Sequence, residues 1–366
     1  MIIRILLIFF LILFIIAGKG FANPIPGKKV DSVFAPAYGI SYSFEQAGWY
    51  GLDPRKDYEK LLDEIKPKWV RLSFFWDQMV NGETGEFNKN FDDLRFGIEE
   101  AKKRDIGVIV ALGAKTPYFP EYHWPKKVSS KVKFGEKITI NHPVAGDILE
   151  IDRRVVDELS NNDNIIYWQV ENEPLLPNVN NWLLDPGLIA AEVEVVREAD
   201  PKGRHIILNH PAGGAFDRDW QKLLPILEKG DVLATNAYFK TQGAELLAFK
   251  IFRFEFHIPW PKFLVWPVQS WPILSPNYDS MKTKVEREGK RFWIMEMQAE
   301  PYVRTIEDAR KATFSFKASD INLGYDFLKS YEIESVGFWG VHFWQYREKA
   351  GDKSWFEIVK QVVGKE

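Results

Sequence analysis

The chain has 366 residues, 46% hydrophobic and 15% aromatic, which is enough to bury a large core and too apolar for a disordered chain. Its 48 basic and 51 acidic side chains leave a net charge of -3 with no long run of one sign, so nucleic acid finds no footprint and a neutral partner is expected. Cysteine is absent, which excludes disulfides, thiolate metal sites, a cysteine nucleophile and a lipidated N-terminal cysteine.

At the N-terminus Arg4 precedes an apolar run from Ile5 to Ala17, and Gly20-Phe21-Ala22 follows where a signal peptidase would cut. The run falls short of the ~20 residues that span a bilayer. Residues 1–22 are therefore expected to be a signal peptide that sends the chain out of the cytoplasm, with an uncleaved membrane anchor as the alternative, and the fold is expected over 31–366.

From residue 33 a single cadence repeats: a short apolar or β-branched run, a polar loop, then a longer amphipathic stretch. The predicted strands are Phe34–Ser41, Trp69–Phe75, Gly107–Leu112, Ile165–Asn172, His205–Asn209, Val232–Phe239, Phe292–Met297 and Ser335–Phe343. Helical patterns include Pro54–Ile65, Phe91–Arg104, Pro186–Ala199 and Ile306–Ser330, and Asp185-Pro186 forms a cap and first-turn pair. Eight such units match a single (β/α)8 TIM barrel, an α/β fold. An open doubly wound sheet would carry a Gly-rich phosphate turn after its first strand, and none is present.

Polar residues at the C-terminal ends of barrel strands are where chemistry is sought. The fourth predicted strand, "IIYWQVENEP", ends in Glu171, Asn172 and Glu173, and the seventh, "RFWIMEMQAEP", carries Glu296. Two carboxylates facing each other across a barrel mouth are what glycosidic bond cleavage requires.

These motifs resemble glycoside hydrolase clan A, whose fourth strand ends in Asn-Glu and whose seventh ends in a glutamate nucleophile. "WQVENE" is most similar to the β-galactosidase families of the clan, while the following Pro174 is more like the cellulase and β-mannanase family. "FFWDQMVNGETGEFNKNFDDLRFGIEEAKKRDIGVIVALG" also resembles the second unit of such enzymes. The resemblance implies hydrolysis of a β-linked glycoside with retention, with Glu173 as acid/base and Glu296 as nucleophile. It further implies that Arg71 bonds the nucleophile and keeps it ionised, that Asn172 holds the sugar 2-hydroxyl, and that Tyr238 touches Glu296. In the eighth predicted strand it implies an aromatic platform under the reactive sugar. Trp344 is preferred there and Trp339 competes, the two pointing to opposite faces of an extended strand.

The chain departs from that pattern in carrying two extra acids, Glu171 and Glu300. They are expected either to raise a neighbour's pKa in the mouth or to bind sugar hydroxyls at its rim. The loop "GAKTPYFPEYHWP" adds Tyr118, Glu121, His123 and Trp124, read as sugar contacts or as a packed aromatic loop. A long aromatic-rich loop after the sixth strand, 241–276, holds Phe252, Phe254, Phe256, Trp260, Trp266 and Trp271. It is read as packing on the barrel, as a hairpin lid over the site, or as a surface that touches lipid through 245–274.

The six histidines are scattered without ligand spacing, so no catalytic metal and no cofactor are expected. The expected partner is an oligosaccharide, polysaccharide or glycoconjugate. Two other functions fit the same residues: a catalytically silent carbohydrate-binding or membrane-associated barrel, and a transglycosylase.

Overall fold

The alternation of β-branched and amphipathic runs becomes eight parallel strands closed into one barrel. They are β1 (Ala37–Tyr42), β2 (Trp69–Ser73), β3 (Gly107–Leu112), β4 (Ile165–Val170), β5 (His205–His210), β6 (Val232–Ala237), β7 (Arg291–Gln298) and β8 (Ser335–Trp339), each paired with the next and β8 with β1. This computed structural model describes residues 36–364 apart from 178–179, 212, 215, 243–244, 252–253, 260–264, 268–275, 302–304 and 312–315, and over 241–275 it describes the backbone alone. Strands such as β2 and β6 are buried at every residue, as parallel strands covered on both faces must be. The caps follow their sequence signals. Asp53 accepts the Lys56 N–H at the head of Pro54–Ile65, and Asp185 accepts the Gly187 N–H at the head of Pro186–Ala199.

The barrel interior has an apolar floor of Trp69, Ile109, Tyr167, Ile207, Val232, Ala234, Trp293 and Met295. Trp69 stacks on Trp293 with centroids 6.2 Å apart, and it fits only because β1 and β8 carry glycine beside it. A Cβ on Gly39 would lie 2.1 Å from the Trp69 ring, and one on Gly337 would lie 2.6 Å from it. Since side chains alternate along a strand, the next inward position above this floor belongs to Arg71, Gln169, Asn209 and Asn236. A polar layer thus rests on an apolar one.

β7 breaks the alternation. Its register against β6 shifts between Ile294 and Glu296, so that Met295 stays in the floor while Glu296 pairs with Asn236 and joins the polar layer. One extra residue in a strand re-aims the side chains that follow it, and here that residue aims a carboxylate.

Two predicted elements end differently. The eighth strand stops at Trp339 rather than running to Phe343, because Gly340 turns the chain with φ of 134° and Val341–Lys349 is helical. The predicted Ile306–Ser330 helix is instead two helices, Ile306–Arg310 and Ala318–Lys329. After β6, Lys240–Gln242 pairs antiparallel with Val265–Pro267, and Glu245–Ile251 pairs antiparallel with Phe254–Pro259. The aromatic side chains expected to form a lid or lipid surface there lie outside the described residues, as do residues 1–35 with the expected signal peptide. Among the described residues no helix is long and apolar enough to cross a membrane.

Candidate active site

Arg71 rises from β2 with no solvent exposure, and a buried guanidinium must satisfy its donors within the protein. It donates from Nη2 to Glu296 Oε1 at 2.7 Å, from Nε to Ser41 Oγ at 2.9 Å and from Nη1 to Gln169 Oε1 at 3.3 Å, fixing the fork from three directions. The second Glu296 oxygen accepts from Tyr238 Oη at 2.8 Å and from Asn236 Nδ2 at 3.2 Å. Three groups, from two strands and the loop after β6, therefore set this carboxylate before any ligand arrives.

Glu173 follows β4 in a left-handed conformation with φ of 47°, which costs a non-glycine residue about 1–3 kcal/mol and persists only where neighbours over-determine it. Its backbone N–H donates to Asn209 Oδ1 at 2.9 Å, and its main-chain oxygen accepts from Lys115 Nζ at 2.8 Å. Its carboxyl oxygen Oε1 accepts from Asn236 Nδ2 at 2.5 Å. One amide thus bridges Glu173 and Glu296. Burial pushes the Glu173 carboxyl up to about 7, the nearby Glu296 charge pushes in the same direction, and Lys115 opposes both.

Beside them, Gln169 Nε2 and Asn209 Nδ2 both donate to Asn172 Oδ1, at 3.2 and 3.0 Å. The Asn172 side-chain oxygen is thereby occupied by protein. At the end of β8, Trp339 stacks on Tyr118 with centroids 4.5 Å apart and lies 5.7 Å from the Arg71 guanidinium. Glu300 hydrogen-bonds Trp339, and burial together with the Glu296 charge pushes its carboxyl up to about 8.

The structure brings Arg71, Asn172, Glu173, Tyr238, Glu296 and Glu300 to one mouth, and sets three other expected residues apart. Trp344 is not on β8 but in the helix that follows, fully buried, with its indole N–H donated to Ala299 O at 2.7 Å. It offers no open face, whereas Trp339, the competing residue, ends β8 beside the Arg71 guanidinium. His123 is likewise buried, stacked on Phe75 at 4.1 Å, while Tyr122 and Trp124 pack with Trp182, so this part of the loop is packing. Glu171 is not a rim acid: it is wholly buried, and its carboxylate accepts the Ala114 and Lys115 N–H groups at 2.7 and 2.6 Å. Sequence reading missed Asn236, Gln169 and Asn209. All three stand an even number of residues from positions already singled out or from the strand's inward face, and that period is a usable signal. Among the described residues no cluster of His, Asp and Glu could hold a metal ion.

A β-galactosidase from the psychrophilic Marinomonas ef1 superposes with a TM-score of 0.57 at 13% identity over 90% of this chain, which spans 59% of that enzyme's length. A family 5 enzyme of subfamily 18 from Streptomyces cattleya, solved with GlcNAc, gives 0.56 at 13% identity, covering 90% of this chain and 81% of that one. Cel5A from Thermotoga maritima, solved with mannotriose, gives 0.54 at 16% identity, covering 83% and 89%. At such identities the likeness is one of fold. A search of curated protein sequences finds no match. The profile described as Cellulase (glycosyl hydrolase family 5) matches residues 27–243, more than half of the chain and the stretch that carries Arg71, Asn172, Glu173 and Tyr238. With a closed (β/α)8 barrel and paired carboxyls at its mouth, the chain belongs to glycosyl hydrolase family 5, in clan A.

Proposed function

We propose that the protein is a retaining glycoside hydrolase that cleaves a β-linked oligosaccharide, polysaccharide or glycoconjugate by double displacement. The observation that carries this reading is the Asn236 bridge. Its two bonds, 2.5 and 3.2 Å, keep the bridged oxygens of Glu173 and Glu296 within about 5.7 Å of each other. That favours the ~5–5.5 Å separation of retaining enzymes over the ~6.5–9.5 Å that leaves room for an inverting water.

Glu296, held by Arg71 and Tyr238, attacks the anomeric carbon while Glu173 protonates the departing oxygen. Glu173 then removes a proton from water, which releases the glycosyl group from Glu296. A carboxyl that titrates near 7 is suited to giving up and regaining that proton. Because the Asn172 oxygen is occupied, its NH2 is the end offered to the sugar 2-hydroxyl. Trp339 supplies the apolar platform under the ring. With its N-terminal run read as a signal peptide, the enzyme works outside the cytoplasm, and fractionation of expressing cells tests this.

The deciding experiment is a screen of chromogenic β-glycosides followed by NMR of the first-formed anomer. Release of the β-anomer supports the proposal. Release of the α-anomer would require inversion and a different pairing of acids, and binding without turnover would favour a silent carbohydrate-binding barrel.

A further inference from the structure

Behind Glu173 lies a group of charged side chains that double displacement does not use. Glu171, Glu192 and Asp152 are each fully buried, and they come from the end of β4, the helix Pro186–Ala199 after it and the helix Ala145–Leu159 before it. Both oxygens of Glu192 and both of Asp152 find no N–H donor, and their polar neighbours are carboxyls: Glu192 meets Glu171 on one side and Asp152 on the other. Two carboxyls share a hydrogen bond only when one keeps its proton, so a chain of three carries two protons and a single negative charge. Glu171 alone accepts backbone N–H groups, those of Ala114 and Lys115, which places the charge there.

Lys115, also fully buried, is the counterpart of that charge. Its Nζ donates to the main-chain oxygens of Glu173 and Leu176, both at 2.8 Å, and stands 3.4 Å from Glu121 Oε2. Its own main-chain oxygen accepts the Asn172 N–H at 2.6 Å, and the Glu171 N–H donates to Leu112 O at 2.9 Å. The loops after β3 and β4 are therefore clasped in both directions: Glu171 reaches from the second to hold the first, and Lys115 reaches from the first to hold the second. Glu171 and Glu173 both take positive φ, 58° and 47°, so the peptide carrying the acid/base is held in a shape it would not adopt alone. A Cβ at Gly113 would lie 2.5 Å from Glu171 Oε1, so the clasp also needs glycine there.

We propose that Lys115 and Glu171 are the positioning residues of the acid/base Glu173, with Glu192 and Asp152 as neutral acids that keep a single charge on Glu171. The inference rests on the assignment of Glu173 as acid/base. Lys115 fixes the Glu173 peptide through its carbonyl, and its charge favours the ionised form of the carboxyl. The other groups facing Glu173 are Glu296 and Glu121, which oppose ionisation, Asn236, which assists it, and the Tyr238 phenol. Glu171 in turn faces Lys115, Glu192, Asp152 and Tyr122.

Leaving-group dependence separates this role from general structural damage. A dinitrophenyl group departs without a proton and a phenyl group does not, so the ratio of kcat/KM for the two reads acid catalysis alone. Taken on one preparation, that ratio is independent of the folded fraction. The assay uses matched dinitrophenyl and phenyl β-glycosides of glucose, galactose and mannose with the full chain, its K115M and E171Q variants, and E173A as the reference. E173A should lose about 10²–10⁴-fold on the phenyl glycoside and far less on the dinitrophenyl one. K115M and E171Q should each shift the ratio in the same direction by about 10-fold or more, and K115M should move the basic limb of kcat/KM to higher pH. If K115M fails to fold, E171Q carries the test through the same ratio. A ratio within about 2-fold of the parent in the positioning variants, beside a large change in E173A, would overturn this inference alone. No leaving-group selectivity in E173A would overturn the acid/base assignment and this inference with it.

Discussion

One asparagine touches both Glu296 and Glu173, yet the two carboxyls stand in different surroundings. Glu296 sits in a strand and meets a guanidinium, a phenol and an amide, all donors aimed at its oxygens. Glu173 sits just past a strand end. Its only described charge-bearing helper, Lys115, binds its carbonyl, and burial holds its carboxyl near 7. The difference bears on the roles proposed for them. A carboxylate crowded with donors is placed to attack, and one kept dry beside a like charge exchanges a proton near neutrality.

The harshest way to break the comparison is Glu296→Gly. Turnover of ordinary substrates should fall by about 10⁴-fold or more, and azide or formate should restore part of it with product of inverted configuration. Near-normal activity without added anion would remove Glu296 from the nucleophile's place. Next in size, Glu173→Ala should lose about 10²–10⁴-fold where the leaving group needs a proton, and its pH–rate profile should lose the basic limb. In the parent that limb should fall near pH 7, because Glu173 must be protonated to act as an acid and burial raises it to about 7.

Much of this site was legible in the residues. Asn172-Glu173 and Glu296 lie at ends of strands whose apolar runs are plain, and Arg71 is a charge inside an apolar strand that had to find a partner. Tyr238 stands just past β6, two residues beyond Asn236, and counting back at period two from Tyr238 would have found the bridge as well. What sequence could not disclose was geometry that breaks periodicity. The β7 register shift that aims Glu296 leaves no mark in "RFWIMEMQ", and Gly340 turns β8 into a helix that carries Trp344 away from the mouth. Glu171 is expected at the mouth because it stands one residue before the Asn172-Glu173 pair. Its positive φ and the donors at Ala114 and Lys115 bury it instead.

The bridge itself gives a gentler test. Asn236→Ala removes a donor that favours the ionised form of Glu173, so the basic limb of kcat/KM should move to higher pH while Glu296 keeps Arg71 and Tyr238. The loss in kcat should be about 10-fold, well below that of either carboxyl. An unchanged limb would mean that the 2.5 Å contact does not govern the proton on Glu173.

The smallest effect concerns the neutral acids behind Glu173, and it is read in stability rather than rate. Burial raises the Glu192 carboxyl well above its ordinary value in the fold, with the neighbouring carboxyls adding to it. A group whose folded pKa is raised gives its full stabilisation below the unfolded pKa and loses it as pH climbs through the folded one. The parent should therefore lose stability through this group as pH rises from the ordinary carboxylate range toward neutrality and above. Glu192→Gln keeps a donor toward Glu171 and an acceptor toward Asp152 but cannot ionise, so its thermal midpoint should fall less over the same rise. The difference should amount to a few degrees, at roughly 1.5 °C per kcal/mol for a domain of this size. Calorimetry from pH 5 to pH 8.5 measures it. An equal or steeper fall in the variant would mean that Glu192 is already charged in the native state, and the single negative charge assigned to the chain of three acids would then be wrong.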